Sequence, residues 1–285
     1  MKYRLTDEIS TNYDGTVLRR IECVKSFLNV KAGDKGGWVQ NEKNLSQNGD
    51  AWIYGDARVY GNARVYDNVQ VYDYAEICGY ANVYGYAQVY GYAEVYGHAE
   101  VYGHAQVYGY AEVYDSARVY DNVQVYDHAR VYDNAEVCYN AHVYGSACVY
   151  YNAHVYGAAR VYNEAHVYGN ARVYGNVRVY GDTEVYGEAC VYDNACVYGD
   201  AEVYGSARVG GNAVINSSTD YIVFKNNWSS MRYFTWTRSN NMWRVGCFYG
   251  TGPELIEKAY RDSKLSGDCY RAYVELAEKL KELQN

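Results

Sequence analysis

Histidine, cysteine, aspartate and tyrosine are the side chains here that could do chemistry, and of these tyrosine recurs most regularly. The six histidines are His98, His104, His128, His142, His154 and His166, the last three 12 residues apart. A histidine can serve as a general base or a metal ligand. The eight cysteines are Cys23, Cys78, Cys138, Cys148, Cys190, Cys196, Cys247 and Cys269, and they form no CxxC pair or finger spacing. They read as free thiols of a reducing compartment. Asp67, Asp73, Asp121, Asp127 and Asp133 would suggest calcium. Their pattern is not the nonapeptide calcium repeat, however, and turn chemistry accounts for aspartate at such sites. The strongest signal is tyrosine, 39 of 285 residues.

What positions these residues is a repeat of six. From Ala51 the chain reads A-x-V-Y-G-N without an insertion to about residue 216. Position one is Ala with few exceptions, among them Val69, Val123, Val177 and Thr183; position three is always Val or Ile, and position four is Tyr at 24 of 27 places from 54 to 210. The three exceptions are Cys78, Cys138 and Gly210. Ala and Val two apart lie on one side of a strand and face inward, while the residue between them and the Tyr face outward. Gly-Asn or Asp-Asn supplies a tight corner, because Gly and Asn tolerate positive φ. One hexad cannot bury its small apolar face, so hexads must stack into a solenoid.

The spacing of position two gives the coil. Gln70, Gln88, Gln106 and Gln124 stand 18 apart, and the segment 63–73 recurs verbatim at 117–127, an offset of 54. That offset is a multiple of 18 but not of 12, so three hexads make one coil. The result is a triangular prism of about nine coils, roughly 45 Å long at ~4.8 Å per coil. On this coil His142, His154 and His166 fall on three different faces and cannot meet at one metal. Cys190 is expected between Arg172 and Arg208, which would lower its thiol pKa.

The tyrosines then form ladders. One face carries Tyr54, Tyr72, Tyr90, Tyr108, Tyr126, Tyr144, Tyr162, Tyr180 and Tyr198 without a gap, beside the glutamine column. The second face is interrupted at Cys78 and stacks Glu76, Glu94 and Glu112; the third is interrupted at Cys138 and ends at Gly210. More aromatics sit at the corners, at Tyr74, Tyr80, Tyr86, Tyr92 and Tyr110, with His98 and His104 among them.

The hexad resembles that of the hexapeptide-repeat proteins with a left-handed parallel β-helix, a family that includes many acyltransferases. The resemblance implies the left-handed, three-sided fold. It also implies a catalytic histidine and a loop inserted over the substrate. Here Tyr stands where that family usually has Gly, Ala, Glu or Asp, and no loop interrupts the hexads. The stretch NVKAGDKGGWV…NLSQ.GDAWIY is similar to the start of bacterial and phage proteins grouped as hexapeptide transferases, the YdcK-like group.

The ends differ in composition. Residues 1–50 are expected to form an N-terminal β cap, with strands joined by a hairpin at Asn12-Tyr13-Asp14-Gly15. Residues 217–285 are expected to form a small α+β domain. Its strands are Tyr221–Lys225, Arg232–Arg238 and Trp243–Phe248, followed by a helix opened by Thr251 and Glu254. A second helix is expected from near Asp268, with Tyr273, Leu276, Leu280 and Leu283 on its apolar face. The block WTRSNN.W.VGCFYGT resembles small domains appended to phage-type solenoid proteins.

The hexad region carries 8 Arg against 19 acids, within a chain of net charge −8. This opposes non-specific nucleic-acid binding and anionic membrane surfaces. No apolar run approaches a membrane span, and the N-terminus lacks the apolar core of a secretory signal. A cytoplasmic location is expected. The expected function is a non-enzymatic β-solenoid scaffold that pairs as a homodimer through its tyrosine face or binds a partner there. Glycan binding by the aromatic strip and acyl transfer are the rival readings; ice-lattice binding is a weaker one, since no Thr-x-Thr ladder is present. No cofactor, metal or catalytic residue is expected.

Overall fold

A computed structural model describes residues 1–12 and 14–283. Tyr13, within the expected hairpin, lies outside the described residues, but the turn around it is closed by Gly15 N–H donating to the Asn12 carbonyl at 3.0 Å. The strands Tyr3–Thr11 and Val17–Cys23 pair antiparallel, and Lys35–Val39 follows.

From Trp52 to Ile215 the chain is a parallel β-solenoid of mostly two-residue strands on three faces. Each strand pairs with the one 18 residues on: Gln88 lies opposite both Gln70 and Gln106. The solenoid has about ten turns, one more than the hexads alone gave, because residues before Ala51 contribute. Trp38 pairs in parallel with Arg58, and Leu45 bridges Val65. Those partners are 20 apart because the corner at 46–50 holds two extra residues, which hides this turn from a strict six-residue reading.

Position-one Ala and position-three Val are fully buried throughout, as at Ala105 and Val107. Thr183 is the polar exception, and its hydroxyl donates to the Tyr180 carbonyl at 2.8 Å. Corners need positive φ. Gly97 has φ +69°, and a Cβ there would stand 2.7 Å from the Asp115 backbone nitrogen in the next coil. At most corners where Asp takes this position it gains a compensating bond. The carboxylates of Asp67, Asp73, Asp121, Asp127 and Asp133 each accept a backbone N–H one coil on, at 3.1–3.2 Å.

Backbone bonds run both ways between coils, and Val65 N–H donates to Asn44 O one turn back at 2.9 Å. Each coil donates N–H groups to the carbonyls of the next, as Gln88 N–H does to Ala105 O at 2.9 Å. Each end coil therefore leaves both carbonyls and N–H groups without a ladder partner, and buried groups of either kind need one. At the start, Lys2 Nζ donates to Ala51 O at 2.8 Å and Asn44 Nδ2 to Ala63 O at 2.9 Å. At the end, side chains serve both kinds, and Tyr221 Oη donates to Glu202 O at 3.0 Å. Arg208 N–H donates to Thr235 Oγ1 and Val214 N–H to Ser239 Oγ, each at 2.8 Å, and Tyr204 N–H to Tyr221 Oη at 3.2 Å.

The C-terminal residues form a four-stranded antiparallel sheet and two helices, α1 (Gly252–Asp262) and α2 (Lys264–Leu283). Three expectations need correction. The run Trp243–Phe248 is two strands, Met242–Val245 and Phe248–Gly250, because Gly246 turns at φ +58°. The second helix starts at Lys264, only Ser263 separating it from α1, where the Ser263 hydroxyl accepts Ser266 N–H at 3.0 Å. Its buried stripe is Gly267, Tyr270, Val274 and Ala277, while Leu276, Leu280 and Leu283 are exposed. Close helix packing selects the small residues: a Cβ on Gly267 would lie 2.2 Å from the Tyr260 ring. No helix among the described residues is long and apolar enough to cross a membrane.

Candidate functional site: the tyrosine and glutamine face

The first face brings together every residue expected there. From Tyr90 to Tyr198 successive rings stack at 4.8–5.3 Å between centroids with nearly parallel planes. Tyr54 and Tyr72 stack at 4.9 Å. Between Tyr72 and Tyr90 the ladder changes orientation, since these rings meet at 6.3 Å and 80°. Within the stacked runs each ring covers its neighbour's faces, so edges and hydroxyls point outward.

Beside them the glutamines form their own chain. Gln106 Nε2 donates to Gln88 Oε1 at 3.4 Å and Gln124 Nε2 to Gln106 Oε1 at 3.3 Å. Position two of this face runs Trp52, four Gln, His142, Arg160, Arg178, Cys196 and Val214, with no carboxylate. The hydroxyls of Tyr72, Tyr90, Tyr108, Tyr126 and Tyr144 have no hydrogen-bond partner among the described residues. Burial pushes the Tyr108 hydroxyl up to about 12, with Tyr90 and Tyr126 adding to the effect. At neutral pH it therefore remains a neutral donor and acceptor.

The second face uses its tyrosines differently, through a device the sequence reading missed. Tyr60, Tyr96, Tyr168 and Tyr186 donate to Glu76, Glu112, Glu184 and Glu202 at 2.8–3.2 Å. The signal was present as Tyr and Glu 16 residues apart. Glu94 is the exception, because the residue 16 before it is Cys78. It stands between Glu76 and Glu112, and burial, then Glu112 and Glu76, hold its pKa above the usual carboxylate value. A raised pKa means that the folded chain holds the proton more tightly than the unfolded chain. Ionised Glu94 thus destabilises the fold at neutral pH, and the cost fades as pH falls through the raised pKa toward the ordinary ~4.3. Glu94→Gln is expected to stabilise the protein by about 0.2–1 kcal/mol at pH 7. The gain should vanish near pH 4, as denaturant titration at the two pH values would read.

On the third face a Cβ at Gly210 would lie 2.3 Å from the Tyr192 ring. The glycine that ends the ladder therefore makes room for that ring, over which Arg244 lies 5.3 Å from the centroid.

His142, His154 and His166 sit on the first, third and second faces, paired with Gln124, Glu136 and Cys148. Burial, then Arg160, lowers the His142 pKa. His98, His104 and His128 stack on Tyr80, Tyr86 and Tyr110 at 4.8–5.0 Å. Cys190 does lie between Arg172 and Arg208, yet its pKa is raised. Burial outweighs the two guanidiniums, so the expected activation is corrected. Among the described residues no three His, Cys, Asp or Glu side chains group as a metal site.

The coil, the in-register ladders and the capped ends define a three-sided parallel β-solenoid protein. Its repeats are of a recorded kind: the YdcK β-solenoid repeat model matches residues 57–73, 123–139, 165–181 and 171–187. An Escherichia coli (strain K12) protein named uncharacterized acetyltransferase YdcK is 43% identical over 60 residues. That match spans 19% of this chain and 18% of that protein.

Proposed function

We propose that the solenoid is a non-enzymatic scaffold that joins a second copy of itself through the first face. The observation that carries this reading is the pairing of an uncharged glutamine column with tyrosine hydroxyls that no internal partner uses. Tyrosine supplies rigid contact area and can keep its hydroxyl bonded at an interface. Like charges on the second face oppose burial. Two such faces packing together make an isologous dimer. Changing both Tyr108 and Tyr126 to Lys is expected to give monomers while circular dichroism stays unchanged. The same change at Tyr96 and Tyr114, on the second face, should leave association intact. Sedimentation across concentration reads the result; a monomeric wild type, or two mutants that behave alike, would sink the choice of face.

Glycan binding is favoured at one place only. Stacked rings hide the faces that a sugar would cover, but the step at Tyr72 leaves one side of the ring without a parallel neighbour. A groove of about 380 Å³ opens beside it, lined by Tyr72, Asn68, Gln70, Tyr86, Gln88 and His104 among others. An oligosaccharide array on the intact protein separates this reading from dimerisation. Acyl transfer, which the relative's name suggests for that relative, has less support here. The three face histidines diverge, and the hexads run without an inserted loop.

A further inference from the structure

We propose that the C-terminal domain binds a small aromatic carboxylate in the cleft between the Gly246-Cys247 turn and the junction of α1 with α2. The cleft holds about 430 Å³, within the range of small-molecule sites. Its floor is apolar and well packed: Val245, Leu255, Ala259 and Tyr270 are all buried. Its walls are aromatic. Phe248 and Trp228, the latter 75% exposed, both line it. At the mouth of a cleft, an exposed tryptophan offers rigid contact area to a ligand. The loop that carries it is held in place, since the Asn226 side-chain oxygen accepts the N–H groups of Trp228 and Ser229 at 3.1 and 3.0 Å.

The charge of the rim selects the ligand. Arg232 and Lys258 both line the cleft, and neither makes an ion pair among the described residues. Lys258 Nζ lies 5.8 Å from the Phe248 ring centre, and Arg232 Nη1 is 3.2 Å from where a Cβ on Gly246 would sit. Two cations without carboxylate partners at one cleft stand out in a chain of net charge −8. Asp262 also lines the cleft, so the rim nets one positive charge, which suits a monoanion better than a dianion. The hydroxyls of Ser230 and Tyr270, 2.8 Å apart, add a polar edge. A flat ring held in the cleft would meet Trp228 and Phe248, with its carboxylate toward Arg232 and Lys258.

Calorimetry on the full chain tests it, with phenylacetate, neutral phenylacetamide and phenyl phosphate as probes. Phenylacetate should bind at least about tenfold more tightly than the amide, as expected for a charge-assisted bond. Arg232→Gln and Lys258→Gln should each weaken phenylacetate about tenfold and leave the amide unchanged. Trp228→Ala should weaken both probes. Both cations are exposed, so the substitutions leave the fold intact, and Arg271→Gln, which faces Tyr260 instead, should change nothing. Equal binding of acid and amide, no phenylacetate binding at millimolar concentration, or indifference to both rim substitutions would overturn the site. Tighter binding of phenyl phosphate would overturn the choice of a monoanion.

Discussion

A chain ending at Asn216 is expected to come out of solution or to join end to end. The last coil presents a row of N–H groups that Thr235, Ser239 and Tyr221 now satisfy. Without residues 217–285 those donors face water beside an open apolar prism and the exposed ends of three tyrosine rows. An unprotected strand edge is a template for further pairing, and solenoids depend on their terminal caps for solubility. The first coil stays closed by Lys2 and Asn44, so an open C-terminal end finds another open end and not the matching first coil that orderly head-to-tail stacking needs. Disordered aggregation is therefore expected over orderly fibres. The soluble fraction after expression and the sedimentation of whatever remains, both against the full chain, check this. A truncated chain that stays soluble, assembles no further than the full chain and keeps the solenoid's β signal in circular dichroism would show that residues 217–285 are not needed as a cap.

The second large effect comes from neighbouring residues of one strand. Val125→Asp is expected to destroy folding of the central coils, whereas Gln124→Glu should cost only a few tenths of a kcal/mol. Val125 is fully buried between Val107 and Val143. The prism there contains only Ala and Val side chains, with nothing to pair a carboxylate. An unpaired buried charge costs more than about 4 kcal/mol. Each coil touches only its neighbours, so the lesion cannot be shared across a large core. It would leave two shorter stacks, each with an uncapped end. Thermal unfolding by circular dichroism distinguishes the variants. A Val125→Asp protein that melts as one cooperative unit near the wild-type temperature would refute the dry prism.

Much of this architecture was legible because a period of six leaves few choices. The glutamine spacing set the coil, and the coil placed every ladder residue on its observed face. What escaped the sequence lay where the period lapses or where competing terms must be weighed. The turn before Ala51 was hidden by a corner two residues longer than the rest. The packing stripe of α2 was misplaced because bulk was read as burial, while Gly267 and Ala277 allow the close approach. The effect on Cys190 was misjudged in sign, since two guanidiniums were visible in the sequence and the depth of the thiol was not. The tyrosine–glutamate bonds needed a spacing of 16, which only the three-dimensional coil makes meaningful. The charged cleft of the C-terminal domain draws on a loop, a hairpin turn and two helices, so no short motif announces it.

The 18-residue turn also restricts how such a chain can change its length. Residues 63–73 and 117–127 are identical and three turns apart, as a copied segment of whole turns would leave them. Adding or deleting 54 residues lengthens or shortens the rod by about 14 Å and returns every later side chain to its own face. Adding a single hexad would instead rotate everything beyond it by a third of a revolution, placing the glutamine column over the glutamates. The rod is therefore a ruler graduated in whole turns, and duplication can alter its reach without rewriting its surface.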